Sequence, residues 1–230
     1  MGTLPGKLTG FGKVVAAAVA GAIVLQDTSE ANDDVIALAS DIINDDCVLL
    51  FQKSVNGATA PTSVLPAGFT LVGTANLNAA GTSTRFHISF KKGVNGDAGA
   101  NKSGMSGGTG RDAKLCMVFR HPDGFASITK KDFDGQVTNS NPGNQTATAG
   151  GGTVPIIVFG FYSELDNTNP SSRSMSPAED GEQDTSFTDD IFIKFKIYNA
   201  GDTPANGTIS MNDEGAKNCL GSFYLELVLN

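Results

Sequence analysis

Three alternating runs follow one another between residues 45 and 92, and no other stretch narrows the fold as far. In DDCVLLFQKS, Cys47, Leu49 and Phe51 alternate with Val48, Leu50 and Gln52. In PAGFTLVGT, Phe69 and Leu71 share one side, with Thr70, Val72 and Thr74 on the other. In TRFHISFKK, Phe86, Ile88 and Phe90 oppose Arg85, His87, Ser89 and Lys91, so this run has one dry and one wet face. A period of two belongs to a pleated strand. The connections are rich in Gly, Thr, Pro and Ala, which break strands and turn the chain. Such runs in succession predict antiparallel strands covering a core on one side.

The rest of the chain repeats this grammar. KLCMVFR (residues 114–120) reads as a short strand, and HPDGF after it as a turn. A polar tract over residues 132–152 leads to VPIIVFGFY, whose unbroken apolar character predicts a central strand covered on both faces. Pro155 stands at its start, where no ladder donor is lost. Residues 165–188 read as a polar loop with Met175 and Phe187 as its anchors. In IFIKFKIYN, Ile191, Ile193, Phe195 and Ile197 face inward, and Lys194 and Lys196 face solvent. A short strand over residues 206–211 follows. The last run sets Phe223, Leu225, Leu227 and Leu229 on one face, as a closing strand inside a sheet. The expectation is an all-β, antiparallel β-sandwich with long loops. A single domain over residues 14–230 carries an N-terminal arm, residues 1–13. Sandwiches of 230 residues are ordinary. The 28 glycines have no fixed period and lie between apolar runs, as many turns require.

Two N-terminal stretches admit more than one reading. Lys7 and Lys13 precede VVAAAVAGAIVL (residues 14–25), which has the outline of a signal peptide. Twelve apolar residues fall short of the ~20 that span a bilayer, so a buried strand or hairpin bent at Gly21 is expected. The polar arm ahead of it stays ordered only if tied down, so contact with another subunit is expected. In NDDVIALASDII (residues 32–43), Val35, Leu38 and Ala39 fit a helical face, while Val35, Ala37 and Ala39 fit a strand. The strand reading is preferred because both neighbours are strands.

Chemical signals are sparse. A net charge of −8 and a pI near 4.6 argue against a nucleic-acid surface, which needs a basic face. Cys47, Cys116 and Cys219 are odd in number, widely spaced and set in apolar runs, so all three read as buried core residues. GDAGANKS (residues 96–103) approaches a phosphate-binding loop, but Asn101 stands where the second glycine belongs. GMSGG (residues 104–108) satisfies G-x-S-x-G without the strand and helix that a nucleophile elbow needs. Both fall within residues 93–110, which read as a mobile loop. His87 and His121 read as solvated strand and turn residues. The doublets Asp33/Asp34, Asp45/Asp46 and Asp189/Asp190 point to opposite faces of the chain, so none forms a carboxylate pair unaided. KDFDGQ (residues 131–136) carries Asp132 and Asp134 but lacks the remaining calcium ligands, and an Asp-Gly turn is the plainer reading. Sequons begin at Asn144 and Asn206. No catalytic, cofactor-binding or metal-ligating residue is assigned, and no enzyme activity is expected.

The order of segments resembles a known family. A D-x-x-L-L strand, P-A-G-F-T-L-V-G, R-F-H-I-S-F-K-K, a glycine-rich gap, V-F-R, T-V-P-I-I-V-F-G-F-Y and the terminal C-L-G-S-F-Y-L-E-L-V-L are similar to the jelly-roll-like β-sandwich modules of tailed-bacteriophage virion proteins, above all tail fibres and appendages. The resemblance covers about residues 45–229. Where that family has Trp, this chain has Phe69, and it has no Trp at all. The resemblance implies a non-enzymatic structural or attachment protein of the virion, assembled in the host cytoplasm as a homo-oligomer. Its partners would be its own copies, other virion proteins and host surface polysaccharide, with neither nucleic acid nor membrane insertion. A freestanding carbohydrate-binding module, stacking sugars on Tyr162, Tyr198 or Tyr224, is the alternative.

Overall fold

The alternating runs become strands because a pleated chain sends every second side chain to the same face, and apolar partners from other runs meet there. The computed structural model describes residues 21–56, 64–79, 82–103, 112–138, 145–147, 154–163, 172–185, 191–205, 207–212 and 218–230. The first half of the chain contributes β1 (Val24–Ala31), β2 (Val35–Ala37), β3 (Cys47–Asn56), β4 (Thr70–Ala79), β5 (Thr82–Lys92), β6 (Asn101–Ser103) and β7 (Ala113–Arg120). The second half contributes β8 (Phe125–Thr138), β9 (Gln145–Ala147), β10 (Ile156–Ser163), β11 (Ser172–Ser176), β12 (Gly181–Asp184), β13 (Ile191–Tyr198), β14 (Gly207–Asn212) and β15 (Asn218–Leu229). A front sheet runs β1-β7-β3-β5-β4 and a back sheet runs β12-β13-β10-β15-β8, each antiparallel throughout.

The two sheets pack face to face as an antiparallel sandwich. Leu49, Phe51, Phe86, Ile88 and Met117 from the front meet Phe159, Phe161, Ile193, Phe223 and Leu225 from the back in one apolar core. Rings join the layers: Phe51 meets Phe223 at a tilt with centroids 6.1 Å apart, and Phe86 stacks on Phe161 at 4.9 Å. Gly221 makes that stack possible. A Cβ there would lie 2.2 Å from the Phe161 ring and 2.6 Å from the Asp134 carbonyl. The strands are apportioned by halves of the chain, not interleaved between sheets as two Greek keys would be. The chain crosses from front to back at the HPDG turn, residues 121–124. As expected, β15 closes the back sheet from inside it, between β10 and β8, and β10 is central.

Both sheets carry a further layer. Over the back sheet lie β11, β14 and β9 in a small three-stranded sheet, with Met175 packed on Ile156, Val158, Tyr198 and Tyr224. Over the front sheet, β2 pairs with β6 as a cover ribbon. These layers correct several expectations. Residues 32–43 give only the three-residue β2 and then irregular chain, because their apolar side chains point down onto another strand layer. Residues 165–188 contain β11 and β12, and residues 93–103 form a 3₁₀ turn (Asn95–Asp97) and β6. KDFDGQ is neither a calcium loop nor a turn. It lies within β8, with Asp132 opposite Tyr224 and Asp134 opposite Ser222, because residues 132–136 pair in register with β15 beyond a bulge at Lys131. The arm over residues 1–13, residues 14–20, GMSGG, Phe187, Asp189/Asp190, and both sequon asparagines lie outside the described residues.

Candidate functional site

The outer face of the front sheet holds the densest set of chemically capable side chains. Strand parity puts Val48, Leu50, Gln52 and Ser54 of β3 on it, beside Arg85, His87, Ser89 and Lys91 of β5. From β7 come Lys114, Cys116, Val118 and Arg120, with Asp112 just before it. Register then sets Lys114, Gln52, His87 and Thr74 side by side across four strands. The expected wet face is dry: Gln52 is 0% exposed, His87 3% and Lys114 1%. His87 is therefore not a solvated strand residue.

Chain from two distant segments produces part of this burial. Residues 32–46 and 93–103 zip together through β2 and β6 and then through a ladder of single bonds. Leu38 N–H donates to the Ala100 carbonyl at 3.0 Å, and Gly93 N–H to the Asp46 carbonyl at 2.8 Å. Asn44 and Asn95 exchange side-chain oxygens and backbone N–H groups, both at 3.0 Å. Ile36, Leu38, Ala39 and Ile42 then pack on Val48, Leu50, Cys116 and Val118. Burying those apolar groups favours the closed cover at about 25 cal/mol per Å² removed from water.

Charged groups pin the cover at three points. Arg120 forks onto Asp46, Nε to Oδ1 at 2.9 Å and Nη2 to Oδ2 at 2.8 Å, while Nη2 also reaches Asp41 Oδ1 at 3.0 Å. Those bonds, Asp46 first, raise the Arg120 pKa. Ile43 N–H closes the same site by donating to Asp46 Oδ2 at 2.9 Å. Asp97 receives Lys91 Nζ at 2.7 Å and Val94 N–H at 3.0 Å. Burial alone would raise its carboxyl, but these bonds hold it below the usual range. Lys114 Nζ donates to the Asp33 carbonyl oxygen.

The polar row pays no tribute to solvent in its electrostatics. Burial, with Arg85 adding to it, takes His87 down to about 4. Burial also lowers Lys114, against the pull of Asp112, Asp34 and Asp33, and raises Asp112. The Cys116 thiol beneath the cover is pushed up to about 12 by burial. Cys47 faces the sandwich core and is raised further. Both thiols are buried, as expected; the side chain of Cys219 lies outside the described residues. Such groups can hold chain in place, and none of these thiols is poised as a nucleophile.

Other expected positions divide sharply. His121 is a buried clasp, not a solvated turn residue. Its Nδ1 accepts the Asp123 N–H at 3.2 Å, which leaves Nε2 to donate to the Gly21 carbonyl at 2.6 Å. Asp45 and Asp46 do point apart, Asp45 to Lys92 at 2.8 Å and Asp46 to Arg120. Lys194 is buried, bonded to Glu179 and 3.4 Å from Glu182, whereas Lys196 pairs with Asp180 at 2.6 Å. Tyr162, Tyr198 and Tyr224 are all buried on the outer face of the back sheet. Among the described residues, no three His, Cys, Asp or Glu side chains gather as a metal-binding group. The sequence reading missed Arg120, Asp97 and Lys114 as fasteners; the only signal was an ionisable residue in or beside an apolar strand. No helix among the described residues is long and apolar enough to cross a membrane. No protein-family model, curated protein or solved structure matches this chain.

Proposed function

We propose that the chain is a non-enzymatic structural or attachment protein of a bacteriophage particle, such as a tail fibre, tail tip, head spike or decoration protein. The observation that carries this reading is the closure of both sheets on their outer faces. A cover ribbon fastened by Arg120, Lys91 and Lys114 closes the front, and a small sheet anchored by Met175 closes the back. The ionisable groups of the front face act as fasteners for distant segments, which suits a rigid scaffold. The segment order given above supplies the virion assignment. Copies of the same chain, other virion proteins and host surface glycans are the partners this reading names.

The carbohydrate-module alternative needs flat aromatic platforms open to solvent. Its three tyrosines are buried, and the exposed large apolar side chains among the described residues are aliphatic, including Val64, Leu65 and Leu71. Mass spectrometry and immunogold labelling of purified particles test the proposal. The protein is expected in particles at a fixed copy number and as a homo-oligomer when purified. A monomer absent from particles that binds polysaccharide would refute it.

A further inference from the structure

The two sheets are built to one plan. Counted along its own half of the chain, the front sheet orders its strands first, fifth, second, fourth, third, as β1-β7-β3-β5-β4. Counted from β8, the back sheet gives the same order, as β8-β15-β10-β13-β12. The outer ribbons follow suit. β2, between the first and second sheet strands, pairs with β6, between the fourth and fifth; β9 and β14 hold the same places in the second half and also pair. Register agrees as well. Leu49 lies between Phe90 and Met117, and Met117 faces Thr28. Phe159 lies between Phe195 and Phe223, and Phe223 faces Phe133.

The amino acids carry the same trace. Setting Phe90 on Phe195 aligns ISFKKGVNGDAGAN (residues 88–101) with IKFKIYNAGDTPAN (residues 193–206), and seven of the fourteen positions are identical. The shared Asp builds the same turn twice. Asp97 Oδ2 accepts the Val94 N–H at 3.0 Å while its own N–H donates to the Val94 carbonyl at 2.8 Å. Asp202 Oδ2 accepts the Asn199 N–H at 2.7 Å while its N–H donates to the Asn199 carbonyl at 3.1 Å. The halves part at Gly99, whose φ of 65° is closed to the Pro204 of the second half, and β11 has no counterpart in the first. The third strand of the front sheet, β4, meets the first of the back sheet, β8: a Cβ on Gly73 would lie 2.5 Å from the Phe133 ring. β5 and β13 both end beside the crossover. Lys92 bonds Asp45, as Asn230 does after β15, and Tyr198 faces Ile156, whose neighbour Pro155 accepts from Leu227. That is the arrangement of a two-fold axis along the strands, with equivalent faces in contact as in an isologous dimer. We propose that residues 21–120 and 125–230 are two copies of one pairing module, so that the sandwich is an internal dimer and the inner face of each half docks the complementary half of a second copy.

The test keeps the whole chain. A protease site inserted between Asp123 and Gly124 is cut only after folding. Light and isotopically heavy copies are then mixed, unfolded, refolded and weighed by native mass spectrometry, with uncut protein refolded alongside. Every complex should hold one first half and one second half, and light–heavy pairs should be as abundant as light–light and heavy–heavy pairs together. Halves that stay single or only aggregate while the uncut chain refolds would overturn the proposal. A permuted chain supplies a second readout. The His121 ring bonds the Gly21 carbonyl at 2.6 Å and Asn230 Nδ2 the Asp123 carbonyl at 3.0 Å, so both modules end at one turn. Opening the chain at that turn and joining Asn230 to Met1 reverses the order of the modules. The permuted protein should be a monomer with slow hydrogen exchange in both five-stranded sheets. Slow exchange in one sheet only, or in neither, would overturn the proposal. Neither result depends on whether the protein resides in a virion.

Discussion

Along β3 and β7 the two faces of the front sheet are both buried, yet they are built on opposite chemistry. The inner face meets the back sheet through Phe51, Phe86 and Phe119, a surface that any apolar partner of the right shape could cover. The outer face is just as dry at Gln52, His87 and Lys114 but requires a partner for each polar group. Packing holds the first; bonds from residues 32–46 and 93–103 help to hold the second. The inner face therefore tolerates changes of shape poorly, and the outer face tolerates changes of charge poorly.

Neighbouring substitutions sharpen that contrast, beginning with the largest effect. Phe51→Ala should destabilise the protein by about 3–5 kcal/mol in chemical denaturation, because its ring contacts both Phe159 and Phe223. A loss under about 1 kcal/mol would mean that the sheets are not packed as described. Asp46→Ala removes the bidentate partner of the Arg120 guanidinium at the foot of the cover and leaves it the more exposed Asp41. Breaking a buried pair costs about 3–5 kcal/mol, and the partial exposure of Arg120 puts this case at or below the lower end. Hydrogen exchange should then accelerate in β2 and β6 before it does in β3. Uniform acceleration would refute the view of the cover as a separate layer. Gln52→Leu keeps volume but withdraws polar atoms from a dry row, for a loss of about 1–3 kcal/mol. A change within about 0.5 kcal/mol would mark that row as ordinary surface.

The contrast also explains what could be read in the sequence. Alternation over residues 47–52 and 85–91 gave the strands, their inward sides and the sandwich, since the inner face is apolar on both partners. It could not tell that the outer side was dry, because a polar residue looks the same whether water or a folded-back segment satisfies it. The covering chain carried little sign of its role. Residues 93–103 are glycine-rich and read as loop, yet their backbone N–H and carbonyl groups complete a ribbon with residues 35–46. Pairings such as Arg120 with Asp46, or Lys114 with Asp33, join positions 74 and 81 residues apart. Only the tertiary path of the chain brings them together. KDFDGQ misled for a related reason: local turn chemistry was overridden by in-register pairing with β15 beyond the bulge.

The central claim is that the row of Gln52, His87 and Lys114 on the outer face of the front sheet is sealed from water. Titration of the His87 ring by heteronuclear NMR, with His87→Gln used to assign its resonances, tests it most directly. A sealed face predicts a midpoint of about 4, depressed by burial and by Arg85. A midpoint near 6.5, the value of a solvated imidazole, would show that water reaches the row and would contradict the account.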